Sequence, residues 1–151
     1  MSSVAGGRIL PVSLPQPDDL TSLVLRTDFS NDAAWEVLQA AIDGAHEYRQ
    51  ATYASDSRYA GVTVQALVDA DAAASEAEKL TYIFLADAEA MADPEHALLA
   101  VDLYDEPGRT FRVPPRWFAD ISANLCLANM DFYEFADAVD ASGTYRGFDG
   151  Q

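Results

Sequence analysis

The sequence predicts an α/β or α+β domain. It would hold a mixed, mostly parallel sheet of about five or six strands, with a central antiparallel hairpin, flanked by about three helices. Three observations predict this. Half of the 151 residues are apolar, enough for one core at an ordinary domain size. In the first half, strand-like runs alternate with helical periodicity, which implies parallel pairs joined by crossovers. Further on, Glu106-Pro107-Gly108-Arg109 fits a type II turn between two apolar runs, with Pro setting φ and Gly accepting a positive one.

Residues 1–19 are rich in Gly, Ser and Pro. They read as a flexible N-terminal tail, leaving 20–151 as a single globular domain. Ser22 to Thr27 reads as the first strand. Ser30 is placed to cap a helix in which Trp35, Leu38 and Ile42 recur at helical spacing and which Gly44 ends. Tyr48 to Ser55 is a weaker strand. Thr63 caps the next helix, with Val64, Leu67 and Val68 on one face. Leu80–Ala86 and Ala97–Tyr104 are nearly continuous apolar runs, as expected of strands covered on both faces.

The ten residues between those runs approach the minimum for a parallel crossover, with a helical turn at Asp87–Met91. Thr110–Val113 folds back antiparallel, in a register that sets Tyr104 opposite Phe111 and lets Asp105 reach Arg112. Pro114-Pro115 ends that strand, and Arg116–Ala119 reads as one turn. Leu125–Ala128 reads as a last strand. Asn129 or Asp131 then caps a final helix whose core face is Phe132, Phe135, Ala136 and Val139.

Charge narrows the function. The chain has 25 acids against 9 bases, a formal net charge of −16. Such a surface repels phosphates, which argues against nucleic-acid binding, and anionic membranes are disfavoured for the same reason. No apolar run is long enough to span a bilayer, and Pro11 and Pro15 interrupt any signal-peptide core. The single Cys126 forms no internal disulfide, which fits a reducing, cytoplasmic setting. Between two leucines, it reads as a small buried thiol.

The acids are unevenly spread. From Asp69 to Glu106 eleven acids face one base, Lys79, whereas Arg109, Arg112, Arg116 and Arg146 follow that run. If the fold keeps the two regions apart, one side carries an intense negative field.

Two chemistries are open. Asp28, Asp87 and Asp102 fall at or near the carboxyl ends of predicted strands, where open α/β sheets bind ligands. If those strands are parallel neighbours, the three could hold a divalent metal for phosphoryl transfer. Strand-end aspartates are more commonly ordinary capping and turn residues, and that is the favoured expectation here. No other cofactor is implied. A receiver-like phosphoacceptor would need paired acids after the first strand and a late lysine, whereas Asp28 stands alone and Lys79 precedes the third strand. Neither His46 nor His96 has a second ligand at zinc spacing, and the chain has no phosphate-binding glycine loop or nucleophile elbow.

The residues favour a binding module over an enzyme: an acidic face recognising a cationic protein, as an inhibitor or immunity-type protein does. Asp93, Glu95, Asp105 and Glu106 are the candidate contacts. Trp117 is either an anchor beside them or part of the core, and burial is the better expectation. An oligomeric scaffold without a ligand is the third reading.

Three segments carry a resemblance: LVLRTDFSNDAAW (Leu23–Trp35), LLAVDLYDEPGRTFRV (Leu98–Val113) and NLCLANMDFYEFADAVD (Asn124–Asp140). They resemble the hallmark segments of an actinobacterial family classed as a domain of unknown function. The resemblance spans about Leu23 to Phe148. It implies a compact domain and carries over no activity, cofactor or catalytic residue.

Overall fold

The computed structural model describes residues 14–45 and 47–148. The elements run β1 (Ser22–Arg26), α1 (Asp32–Gly44), β2 (Ala51–Ala54), α2 (Val64–Ala73), β3 (Tyr82–Ala86), α3 (Ala88–Ala92), β4 (Leu98–Asp102), β5 (Thr110–Val113), α4 (Pro115–Cys126) and α5 (Phe132–Ala136). The fold is α+β, with a five-stranded sheet in the order β2-β1-β3-β4-β5. β1 pairs parallel with both β2 and β3, whereas β3–β4 and β4–β5 are antiparallel. Among the described residues no helix is long and apolar enough to cross a membrane.

Both faces of the sheet are covered, and strand periodicity sorts the side chains between them. Val24, Phe84, Ala100 and Phe111 face α1, α3, α4 and α5, against Trp35, Leu38, Met91, Phe118 and Phe135. Leu23, Leu25, Ile83 and Val101 face the other way, onto Leu67 of α2, Tyr59 and Leu14. This two-sided burial is why β1 and β3 lack the alternation of a half-exposed strand.

Local signals set most helix starts. Thr63 Oγ1 accepts from Ala66 N at 3.1 Å, as the sequence implies. The α1 cap is Asn31, one residue beyond Ser30, with Oδ1 accepting from Ala34 N at 3.0 Å. Ser30 turns back instead and donates to Asp28. Of the two candidates for α5, Asp131 is the cap residue.

Several expectations are corrected. The sheet is mixed but evenly so, and β4 runs antiparallel to β3 rather than parallel. A parallel return needs a crossover of a dozen or more residues. Here the five-residue α3 turns back at once, with His96 at φ +52° reversing the chain. The hairpin therefore lies at an edge of the sheet, not its centre.

Its register also differs: Phe111 faces Ala100, and Tyr104 stands outside the ladder, 72% exposed. Asp102 causes the shift. Its carboxylate accepts the backbone N–H groups of Tyr104, Asp105 and Glu106 at 2.9, 3.2 and 2.9 Å, curling those residues into the loop. The turn after them is as expected, with Arg109 N donating to Glu106 O at 2.9 Å and Gly108 at φ +96°.

The single turn at 116–119 and the first half of the strand expected at 125–128 belong to one helix, α4, which ends at Cys126; Leu127 and Ala128 follow it, Ala128 with φ +57°. Pro115 sits in its first turn, where its missing N–H costs nothing. Phe118, Ile121, Ser122 and Leu125 then recur at helical spacing. A four-residue apolar run cannot distinguish strand from helix.

The folded part begins earlier than residue 20. Leu14 is 4% exposed in the α2-side core, and Gln16 Nε2 donates to Glu78 O at 3.0 Å. Burial of one leucine side chain, worth about 1.5–3 kcal/mol, holds this segment down. The rest of the expected tail, residues 1–13, lies outside the described residues.

Candidate functional site

The strand directions define two edges of the sheet. One carries the carboxyl ends of β1, β2 and β3; the other carries their amino ends, together with the end of β4 and the start of β5.

At the carboxyl edge, Arg26 pairs with Ala86 in the ladder, so Asp28 and Asp87 follow adjacent strands. Both carboxylates are occupied. Asp28 accepts from Ser30 Oγ at 3.0 Å. Asp87 caps α3 through Ala90 N and receives both terminal nitrogens of Arg112 at 2.9 Å each. The guanidinium of Arg26, only 5% exposed, reaches Asp32 at 2.8 Å and lies 4.4 Å over the Phe29 ring.

Asp102 is at the opposite edge, because β4 is antiparallel and its last residue pairs with Tyr82 at the start of β3. The structure thus brings Asp28 and Asp87 to one edge but not Asp102. Among the described residues no group of three His, Cys, Asp or Glu side chains is placed to hold a metal ion. His96 has a backbone partner, Nδ1 lying 2.9 Å from Ala90 O. His46 lies outside the described residues.

The separation of acids from arginines does not survive folding. Arg112 lies against Asp87 and Glu89, Arg146 against Glu95 and Asp140, and Arg109 against Glu106 and Asp137. Late arginines therefore pair with Asp87, Glu89, Glu95 and Glu106 of the early acidic run. Hydrogen bonds from Arg146 hold the Glu95 carboxyl below its ordinary range.

The expected partner contacts are split as well. Asp93 and Glu95 precede β4 at the carboxyl edge, where Asp93 accepts from Ala97 N. Asp105 and Glu106 follow β4 at the amino edge. Trp117 is half-buried at the start of α4, its ring 5.7 Å from Tyr145 and under the Arg116 guanidinium at 5.0 Å. It belongs to the core margin.

The amino edge gathers what the sequence left scattered. Leu20 precedes β1, Tyr48 precedes β2 and Tyr104 follows β4; they are 69%, 76% and 72% exposed. Cys126 Sγ reaches Thr21 O at 3.3 Å, which docks the end of α4 at the same edge and brings Leu127, 58% exposed, beside it.

Between the hairpin loop and the α4–α5 connection lies a groove of about 190 Å³. Its apolar and aromatic lining includes Tyr82, Tyr104, Leu125, Met130 and Phe132, and its carboxylates are Asp102, Asp105 and Asp131. Behind it, the Tyr82 hydroxyl bonds Ser22 Oγ at 2.7 Å and Cys126 Sγ at 3.1 Å, and Ser22 bonds buried Ser122 at 2.6 Å. Burial and the thiol contact push the Tyr82 hydroxyl pKa above its ordinary value. The half-buried Cys126 thiol thus braces the back wall. Two non-glycine residues with positive φ, Thr81 (+68°) and Ala128 (+57°), shape the rim.

The Asp105 carboxyl is pushed above its ordinary pKa by loss of water against the loop and by the negative charge of Asp102, Asp131 and Glu106. Among the described residues no cation pairs with Asp105 or Asp131.

The sequence singled out Asp105 and Glu106, of which only Asp105 lines the groove, and did not single out Leu20, Tyr48, Leu127, Met130 or Asp131 for this edge. The only available signal was that Tyr48 and Tyr104 each lie at the end of a predicted strand, and the expected pairing of Tyr104 with Phe111 masked even that.

A family model described as a domain of unknown function matches residues 21–148. No curated protein matches the chain.

Proposed function

Because the chain belongs to DUF6924, a domain of unknown function that supplies no activity, we propose a function from its surface: an acidic module that binds a cationic protein at its amino edge. One observation carries the proposal. Four exposed large apolar side chains, Leu20, Tyr48, Tyr104 and Leu127, come to the edge that also carries Asp105 and Asp131, which have no cation partner among the described residues. Apolar anchors set among charges are how protein interfaces combine affinity with partner choice. Tyrosine is enriched in such interfaces, and unpaired carboxylates favour a basic partner and speed its approach. The net charge of −16 extends that attraction beyond the patch.

Affinity capture with the wild-type protein and with a Tyr104→Ala, Leu127→Ser double variant tests this, followed by titration calorimetry against each purified candidate. The expected result is a basic protein bound by the wild type, weakened by added salt, and lost in the double variant. A partner held equally by both proteins would place the interface elsewhere. Self-association of the wild type alone, abolished in the variant, would favour an oligomeric scaffold instead.

A further inference from the structure

We infer that the groove beneath Tyr104 takes a single arginine side chain of that partner. The inference rests on the docking reading above and adds the chemistry of the contact. At about 190 Å³, the groove is smaller than the ~300–1,000 Å³ of sites for cofactors and drug-sized ligands. One long side chain suits it.

The walls match the two halves of that side chain. Leu125, Met130 and Phe132 offer apolar surface to a methylene stem, while Asp105 and Asp131 flank the groove. Neither has a cation partner among the described residues, and the Asp131 carboxylate also serves the α5 capping box. Asp102 also lines it, but its carboxylate is committed to three loop amides. The remaining demand for positive charge falls on the two outer aspartates, and the raised proton affinity of Asp105 is in keeping with that.

Arginine fits better than lysine. A planar guanidinium can stack on an aromatic ring, and Tyr82 and Tyr104 both line the groove, while its in-plane donors stay free for carboxylates; an ammonium is a compact, strongly hydrated point charge. The back wall is already braced, since the Tyr82 hydroxyl is held by Ser22 and Cys126. Little ordering is then needed on binding.

The test is a titration of N-acetyl-arginine amide into the isotopically labelled full chain, followed by amide NMR shifts. The citrulline and lysine amides serve as controls. Expected are saturable shifts at Thr81, Ala128 and Asp131 with a midpoint on the order of millimolar, absent with citrulline and weaker with lysine. Asp105→Asn should weaken the arginine response by about tenfold or more. Its unchanged core amide shifts would show that the fold is intact. No saturable shift, an equal response to citrulline or lysine, or full retention by Asp105→Asn would overturn the inference. Such a failure with partner binding still sensitive to Tyr104 and Leu127 would remove the arginine subsite alone. Partner binding indifferent to Tyr104 and Leu127 would remove the docking edge itself.

Discussion

Arg112 grips Asp87 through two parallel hydrogen bonds, Nη1 to Oδ1 and Nη2 to Oδ2, each of 2.9 Å. The pair joins β5 to the cap of α3, across β4, and its partners are 15% and 25% exposed. Bidentate geometry with partial burial distinguishes it from the many exposed ion pairs that contribute little. Replacing Arg112 with Ala should cost about 2–3 kcal/mol, because Asp87 is then left without its cation. In a chain of this size that lowers the melting temperature by roughly 4–12 °C. A thermal melt unchanged within about 1 °C would show the pair to be energetically idle.

Asp102 organises the loop that forms one side of the groove. Its three backbone acceptances are the reason Tyr104 projects outward, so Asp102→Ala should lose about 2–3 kcal/mol and release the loop. Hydrogen exchange at Tyr104, Asp105 and Glu106 is the direct readout. These amides should lose protection in the variant while those of β1 and β3 keep theirs. Protection unchanged at all three would mean the loop is held by something other than this carboxylate.

Tyr145 carries the C-terminal segment into the core. It is 1% exposed, and its ring lies 5.7 Å from Trp117, 5.3 Å from Phe135 and 5.5 Å from Phe148. Tyr145→Ala should therefore cost about 3–5 kcal/mol, as for other large aromatic deletions, measured by urea unfolding. Loss below about 1 kcal/mol would show that the segment packs only loosely.

Two aspartates should titrate in a reversed order of affinity. Hydrogen bonds from the Ser142 hydroxyl, the Thr144 and Ser142 amides and the Arg146 guanidinium hold the Asp140 carboxyl well below the usual range. A depressed folded pKa favours the native state above the unfolded value of about 3.9. That benefit is lost as pH falls through the folded value. Asp105 has the opposite sign: its folded pKa is raised, so its strain at neutral pH is relieved as acid protonates it. Carboxyl-carbon NMR during acidification should see Asp105 protonate before Asp140. The reverse order would contradict the crowding of carboxylates at the groove.

Some of this was legible in the chain alone. The helix carrying Trp35, Leu38 and Ile42, the cap at Thr63, the turn at Gly108 and the buried runs of β1 and β3 each rest on local chemistry: side-chain period, a capping oxygen, or a permitted φ. The segments resembling an uncharacterised family lie within the stretch that the family model matches, residues 21–148. The groove was only half legible. Asp105 stood out as an acid, but nothing local marks Met130 or Phe132 as lining the same groove.

What the sequence by itself determined was the class of fold, the two-faced core and the surplus of negative charge, because composition and periodicity act over a few residues. Tertiary structure alone decided the direction of β4, and with it the edge on which Asp102 lies. It also decided which acids the late arginines neutralise and which exposed apolar side chains share an edge. A carboxylate's role depends on the amides and cations that distant segments bring within about 3 Å, and spacing along the chain does not encode that distance.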